Sequence, residues 1–201
     1  MGAVERDDEW LRGGWRVTLA AKLDPKRLVF VDEMGTNTSL SALRAWSRRG
    51  RRAFCSVPRN RGANTTLLSS ITVEGMGPSL AVECATDREV FEACYVEKML
   101  APSLGPGQVV VMDNLSAHKG ERVRELVEER GAELLYLPPY SPDLNPIEEA
   151  FAKIKSLLRK AEARTREALV EAMGQALSAV SARDARGFFE HCGYRIVVQP
   201  F

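Results

Sequence analysis

The chain has 201 residues, of which 45% are hydrophobic and 27% are charged, and its formal net charge is +1. This composition is typical of a soluble domain with a buried core. No apolar stretch is long enough to span a bilayer, and the acidic N-terminus lacks the apolar region of a secretory signal. Four cysteines without a C-x-x-C pair and only two histidines disfavour a zinc site. We therefore expect a cytoplasmic protein with reduced thiols.

The first half of the chain predicts strands separated by turns. Residues 1–26 are polar and predict a lead-in with a short helix from about Trp10 to Leu23. Apolar and β-branched runs then predict strands, and residues 75–78 predict a break before the last of them. The predicted strands are Leu28–Val31, a candidate within Thr36–Trp46, Asn64–Val73 and Ser79–Cys84.

The second half predicts helices that alternate with two strands. Thr86 and Glu89 predict a capping box for a helix to about Leu100. The other predicted elements are strands Gln108–Met112 and Leu134–Leu137, and helices His118–Arg130, Pro146–Lys160, Arg166–Val180 and Asp184–Cys192. This order predicts a mixed α/β sheet of about five strands with flanking helices, as in ribonuclease-H-like domains, with extra helices at the C-terminus.

Three acidic residues stand where predicted elements end or begin. Asp32 follows the apolar run Leu28–Val31, Asp113 follows the apolar run Val109–Met112, and Glu148 lies in the first turn of a predicted helix. Fully apolar strands are typical of the centre of a sheet. If these two strands are parallel neighbours, about 4.8 Å apart, both aspartates meet at their carboxyl ends, where open α/β sheets hold their sites.

Each acid alone also has a purely structural explanation. Turn chemistry accounts for either aspartate, and a capping box formed with Asn145 accounts for Glu148. Together, however, carboxylates suit a hard divalent cation such as Mg²⁺ or Mn²⁺. Two ions about 3.5–4 Å apart can serve phosphoryl transfer. We expect Asp32 to contact both ions, and Asp113 and Glu148 to complete one shell each.

An arginine-rich segment with no acidic residue lies between positions 44 and 61. Such a block matches the electrostatic footprint of a DNA backbone, although a solvated loop is an equal alternative. The flat ring of Trp46 suits either stacking on a base or packing beneath the loop. The candidate DNA-binding residues are Trp46, Arg48, Arg49, Arg51, Arg52, Arg59 and Arg61.

Three runs resemble the signature blocks of DDE transposases of the Tc/mariner superfamily, in its bacterial insertion-sequence branch. They are VFVDEMGT, VVVMDNLSAHK and LPPYSPDLNPIEEAFAKIK, and they occur in the family's order. The 34 residues at positions 114–147, between the last two acids, match members whose third acid is glutamate. RAWSRRG and FFEHCGY resemble further family segments, so the resemblance covers residues 27–195.

The resemblance implies a retroviral-integrase-like catalytic domain over residues 27–195, with residues 165–195 as its helical extension. It implies that Asp32, Asp113 and Glu148 are a catalytic and metal-binding triad. The implied reaction is hydrolysis at transposon ends followed by attack of the freed 3′-hydroxyl on target DNA, in association with the nucleoid. Asn114 and His118 belong to a matched motif and receive a supporting role, with helix capping as the alternative for His118.

Neighbouring acids are weaker candidates than the triad. Glu33 follows Asp32 on a strand and so points to the opposite face. A local turn is a sufficient explanation for Asp143. We prefer Glu148 over Glu149 because the resembling motif places its acid directly after Asn-Pro-Ile.

The short lead-in departs from the family pattern. Residues 1–26 are too few for the helix-turn-helix modules that recognise transposon ends. We therefore expect a catalytic fragment or the downstream frame of a frameshifted element, with a homodimer and an upstream helix-turn-helix portion as candidate partners. The alternatives are a truncated relic that binds DNA, dimerises or inhibits without transposing, and a cellular nuclease of the same fold.

Overall fold

One five-stranded mixed sheet forms the centre of the protein. The computed structural model describes residues 9–20, 23–42, 46–54, 58, 62–83, 87–114 and 119–196. In spatial order the sheet reads β3-β2-β1-β4-β5. The strands in chain order are β1 (Leu28–Thr36), β2 (Thr65–Thr72), β3 (Gly75–Glu83), β4 (Val109–Met112) and β5 (Glu133–Tyr136). The expectation of about five strands in a mixed sheet is confirmed.

Helices flank the sheet on both sides. Helix α1 (Glu9–Gly14) continues as a π-helical segment over Trp15–Ala20, and a 3₁₀ turn over Pro25–Arg27 leads into β1. Helix α2 is wound as a π-helix over Val90–Leu100 and continues over Ala101–Ser103. The remaining helices are α3 (Glu121–Glu128), α4 (Pro146–Ala161), α5 (Arg166–Ser178) and α6 (Ala182–His191). The helices predicted in the second half are present, with ends that differ by a few residues.

Strands β1 and β4 are parallel neighbours in the middle of the sheet, as expected. Leu28 pairs with Val109 and Val31 pairs with Met112, so Asp32 and Asp113 are the next residue on each strand. All four residues of β4 are buried, as are the first five of β1. Their apolar side chains face helices on both sides, which explains why neither strand alternates in polarity.

Alternate residues of β1 contribute to two separate cores. Phe30 belongs to the core that also contains residues of α4, α5 and α6, and its ring meets Phe189 edge-on at a centroid distance of 5.3 Å. Val31 belongs to the core on the other face, together with Tyr95 of α2 and Val123 of α3. The sheet is therefore the middle layer of three, and its strand ends are held from both sides.

Two predictions about strands are wrong in detail. The run Thr36–Trp46 does not form a second strand in its described part: β1 continues to Thr36, and residues 37–42 are irregular. The glycines and proline of residues 75–78 do not interrupt the strand structure. Strand β3 already begins at Gly75, and it pairs with β2 through a register shift between Ser69 and Ile71. A bulge accommodates the extra residue, so the strand survives residues that are usually unfavourable in strands.

An acidic side chain binds an amide in the first turn of α2. Thr86 lies outside the described residues, and it is the carboxylate of Asp87 that accepts a hydrogen bond from the Val90 amide at 2.8 Å. Acidic side chains serve this capping role as well as threonine does.

The lead-in helix α1 and the segment that follows it pack against the rest of the fold. Trp15 is 5% exposed, and its indole N–H donates to the Tyr194 hydroxyl at 3.0 Å. That hydroxyl donates in turn to the carbonyl of Leu144 at 2.8 Å. Among the described residues, no helix combines the length and the apolar character that crossing a membrane requires.

Candidate functional site

The three predicted acids line one cavity of about 320 Å³ at the carboxyl ends of β1 and β4. Asp32 and Asp113 follow the two central strands, and Glu148 reaches the cavity from the first turn of α4. The predicted supporting residue Asn114 also lines it, whereas His118 lies outside the described residues. Residues distant in the sequence therefore converge because parallel strands end at the same edge of a sheet.

Asp32 is the most buried of the three acids, with an exposed fraction of 6%. One carboxylate oxygen accepts the backbone N–H of Glu33 at 2.7 Å, and the other accepts the side-chain amide of Asn145 at 2.8 Å. The hydrogen bonds fix the orientation of the carboxylate at the end of a rigid central strand.

Asn145 is a site residue that the sequence analysis assigned only to helix capping. It stands at the N-cap of α4 with an exposed fraction of 3%, yet its side chain caps no amide of that helix. Its amide nitrogen donates to Asp32, and its buried amide oxygen has no hydrogen-bond partner among the described residues. The capping box with Glu148, which the sequence left open as an alternative, does not form, because the Asn145 amide binds Asp32 of β1 instead. An asparagine directly before Pro146 was the available signal.

A buried polar atom without a partner is costly, so the amide oxygen of Asn145 requires an explanation. Asn145 lines the same cavity as the three acids. A cation-bound water or a substrate N–H or O–H would satisfy this oxygen in the working state. A buried acceptor without a partner is typical of a functional site.

The cavity loop of residues 138–145 forms the other wall, and an arginine from α1 holds it. Arg12 is 7% exposed and donates to the carbonyl of Tyr140 at 3.1 Å and to the Ser141 hydroxyl at 2.8 Å. Its second terminal nitrogen donates to both carboxylate oxygens of Asp143, at 2.8 and 2.6 Å. One terminal nitrogen thus binds the carboxylate while the other binds the loop, and the planar guanidinium holds both in a fixed relative position. Arg12 therefore connects the lead-in to the wall of the cavity.

The Arg12 contacts explain Asp143 better than the local turn that the sequence suggested. Partial burial raises the pKa of Asp143, but the hydrogen bonds and charges of Arg12 and Arg16 outweigh this effect. The net result is a pKa below the ordinary value of an aspartate. Asp143 consequently stays ionised and serves to hold the cavity loop.

Glu149 faces a second cavity of about 370 Å³, which distinguishes it from Glu148. Its carboxylate hydrogen-bonds the ring of His191, and this contact raises the pKa of that histidine. Burial, together with the charges of Glu149 and Asp143, raises the pKa of Cys192 to about 12. A thiol of this kind stays protonated near neutral pH, so Cys192 does not serve as a nucleophile.

The described part of the arginine-rich segment, residues 46–54 and 58, extends into solvent. Arg48, Arg49, Arg51 and Arg52 are all exposed, and none of them pairs with a carboxylate of the described residues. The Trp46 ring is fully exposed and Phe54 is 91% exposed, so neither ring packs beneath the loop. Arg59 and Arg61 lie outside the described residues.

The donor set of the first cavity fits a hydrated divalent cation. It offers three carboxylates and the buried amide oxygen of Asn145, which are the hard ligands that Mg²⁺ and Mn²⁺ prefer. Within the described ranges, no three His, Cys, Asp or Glu side chains already stand around a single point. Magnesium typically takes one or two carboxylates and keeps waters or substrate phosphates as its other ligands, so an open arrangement suits it.

A family model described as DDE superfamily endonuclease matches residues 27–170 of the chain. The Tc1 transposase of Caenorhabditis elegans is 28% identical over 162 residues, which are 76% of this chain and 59% of that protein. The Tcb1 transposase of Caenorhabditis briggsae is 28% identical over 109 residues, which are 52% of this chain and 40% of that protein. The chain thus spans roughly half the length of these curated relatives.

Solved structures of Mos1 transposase share the fold. A pre-cleavage Mos1 transpososome superposes with a TM-score of 0.75 at 18% identity, covering 96% of this chain and 62% of that chain. The isolated catalytic domain of Mos1 mariner transposase gives a TM-score of 0.61 at 16% identity and covers 93% and 85%. These similarities confirm the expected ribonuclease-H-like α/β fold.

Proposed function

Because the chain belongs to the DDE superfamily endonuclease family, we propose that it is the catalytic domain of a Tc1/mariner-type transposase. Its reaction is divalent-metal-dependent cleavage at transposon ends followed by strand transfer into target DNA. The observation that carries this proposal is the convergence of Asp32, Asp113 and Glu148 on one cavity. The metal-bound states named for solved Mos1 complexes, with Mn or with Mg, support the same chemistry.

The residues of the cavity divide the work of the reaction. Bound Mg²⁺ or Mn²⁺, as one or two ions, supplies charge stabilisation and lowers the pKa of an attacking water. Asp32 and Asp113 hold the cation at the end of the rigid sheet, and Glu148 approaches from α4. Asn145 orients Asp32 through its amide, and Asn114 contacts the DNA phosphate or the water shell. Water is the nucleophile for cleavage, and the 3′-hydroxyl of DNA is the nucleophile for transfer.

The arginine-rich segment provides an electrostatic contact to DNA in this proposal. Its exposed guanidinium groups suit phosphate oxygens, and the exposed ring of Trp46 suits a base. The predicted Arg59 and Arg61 extend the same positive run. Specific recognition of transposon ends then depends on a helix-turn-helix portion, and pairing of two ends depends on a homodimer. Membership of the bacterial branch and association with the nucleoid stay predictions.

A metal-dependent nicking assay tests the proposal. The substrate is a duplex with a candidate transposon end, incubated with Mg²⁺ or Mn²⁺ and with the metal chelated. We expect cleavage by the wild type and a loss of about a thousandfold in Asp113→Asn and Glu148→Gln, since metal positioning supplies several kcal/mol. The matched control is Glu149→Gln, which changes the adjacent carboxylate in the other cavity and should cleave normally. Undiminished cleavage by Asp113→Asn would exclude the assigned site.

A further inference from the structure

Tyr140, at the mouth of the metal cavity, combines features that neither a turn nor a core explains. Its backbone lies in the left-handed region with φ of 51°, a conformation that is uncommon for a bulky aromatic residue. Tyr140 lines the cavity together with Asp32, Asp113 and Glu148, and 59% of the residue is exposed. Glycine or asparagine suits such a turn better, and an aromatic ring buried in a core would not be so exposed.

Contacts from outside the cavity loop hold this unfavourable backbone in place. Arg12 donates to the carbonyl of Tyr140 itself and to the hydroxyl of Ser141, and the same hydroxyl donates to the carbonyl of Pro139 at 3.1 Å. The ion pair of Arg12 with Asp143, in which one guanidinium nitrogen donates to both carboxylate oxygens, fixes the next turn. A strained residue persists only where its surroundings over-determine it, and such residues cluster at functional sites.

We propose that the Tyr140 ring stacks on a nucleotide base next to the phosphodiester bond that is cleaved. This inference rests on the proposed DNA cleavage, because the phosphate must lie at the carboxylates and its neighbouring base then lies at the cavity mouth. Bases that are unstacked near a reacting phosphate need a new surface, and an exposed aromatic ring provides one for any base.

Two substitutions separate the ring from the backbone. Tyr140→Asn removes the ring but tolerates the left-handed conformation, so the protein should be as stable as the wild type or more stable. Its cleavage efficiency should fall about tenfold, which is the order of magnitude for loss of one stacked base. Tyr140→Phe retains the ring and should keep most of the wild-type cleavage efficiency. Trp10→Ala, which alters another exposed aromatic ring outside the cavity, is the matched control.

A fluorescent base reports the stacking directly. The DNA carries 2-aminopurine beside the cleavage position, and all proteins also carry Glu148→Gln so that the complex binds without reacting. Quenching should occur with Tyr140 and with Tyr140→Phe, and it should be lost with Tyr140→Asn at saturating protein. Unchanged quenching in Tyr140→Asn overturns the proposal, as does an equal loss of cleavage in Tyr140→Phe and Tyr140→Asn. This measurement needs binding only, so it separates failure of the stacking from failure of the cleavage chemistry.

Discussion

The cavity of the three acids and the arginine-rich segment differ in how they would serve the proposed reaction on DNA. The cavity is built from strand ends and a helix start, and Asp32 is 6% exposed and held by two hydrogen bonds. The segment projects arginines and fully exposed aromatic rings without regular structure in its described part. Chemistry requires groups fixed to within a fraction of an ångström, whereas attraction of a phosphate backbone requires only charge within reach.

We therefore expect substitutions in the cavity to change the rate of cleavage, and substitutions in the arginine-rich segment to change DNA binding. Outside the three acids, the largest effect is expected for Asn145→Ala, which removes the amide that orients Asp32. Metal-dependent cleavage should fall by about 10- to 100-fold, as is typical when a partner of a metal ligand is lost. The measurement is single-turnover cleavage at saturating DNA.

Asn145→Ser is the matched variant for that prediction. Serine is a good N-cap residue for α4, but it cannot reproduce the amide contact to Asp32. Thermal stability should therefore be retained in Asn145→Ser while cleavage stays as low as in Asn145→Ala. Full activity in Asn145→Ser would show that the residue matters for the helix alone.

The second expected effect concerns the contact that joins α1 to the cavity loop. Arg12→Ala leaves Tyr140, Ser141 and Asp143 without their buried donor, so the free energy of unfolding should fall by about 2–3 kcal/mol. Arg16→Ala removes a more exposed partner of the same carboxylate and should cost under about 1 kcal/mol. Urea denaturation measures both, and equal losses would contradict the assigned role of Arg12.

The third prediction concerns the arginine-rich segment. Replacement of Arg48, Arg49, Arg51 and Arg52 by alanine should flatten the salt dependence of DNA binding by up to about 3.6 in log–log slope, or 0.9 per phosphate contact. Stability should change by less than about 0.5 kcal/mol because these side chains are exposed. The control is the double substitution of Arg122 and Arg124, exposed residues of α3 that pair with acids of the protein. An unchanged slope in the segment variant would identify a merely solvated loop.

The smallest expected effect is on the pH dependence of folding. The pKa of Asp143 is lowered in the folded protein, so its contribution to stability is complete above the unfolded value of about 3.8. That contribution is lost as the pH falls through the lower, folded pKa. The free energy of unfolding should therefore fall more steeply between pH 5 and pH 2 in the wild type than in Arg12→Ala. Parallel curves would show that the arginine does not stabilise the ionised carboxylate.

Local patterns in the sequence predicted those parts of the fold that depend on local chemistry. Apolar runs identified β1 and β4, and the Pro146 start identified α4, because hydrophobic periodicity and proline geometry act within a few residues. The predictions were wrong where pairing with residues distant in the sequence determines the extent of a strand. The extension of β1 to Thr36 depends on pairing with β2, and the survival of β3 through its glycines depends on a bulge in the same pair.

The sequence by itself determined which acids stand at element ends and which arginines form a block without acids. Tertiary structure alone decided what those residues meet. The Asn145 amide binds Asp32 instead of its own helix. Asp143 pairs with a buried arginine more than a hundred residues away in the chain, and Tyr140 lies at the cavity. Propensities act locally, whereas these contacts need the sheet, α1 and α4 packed together, so no local pattern encodes them.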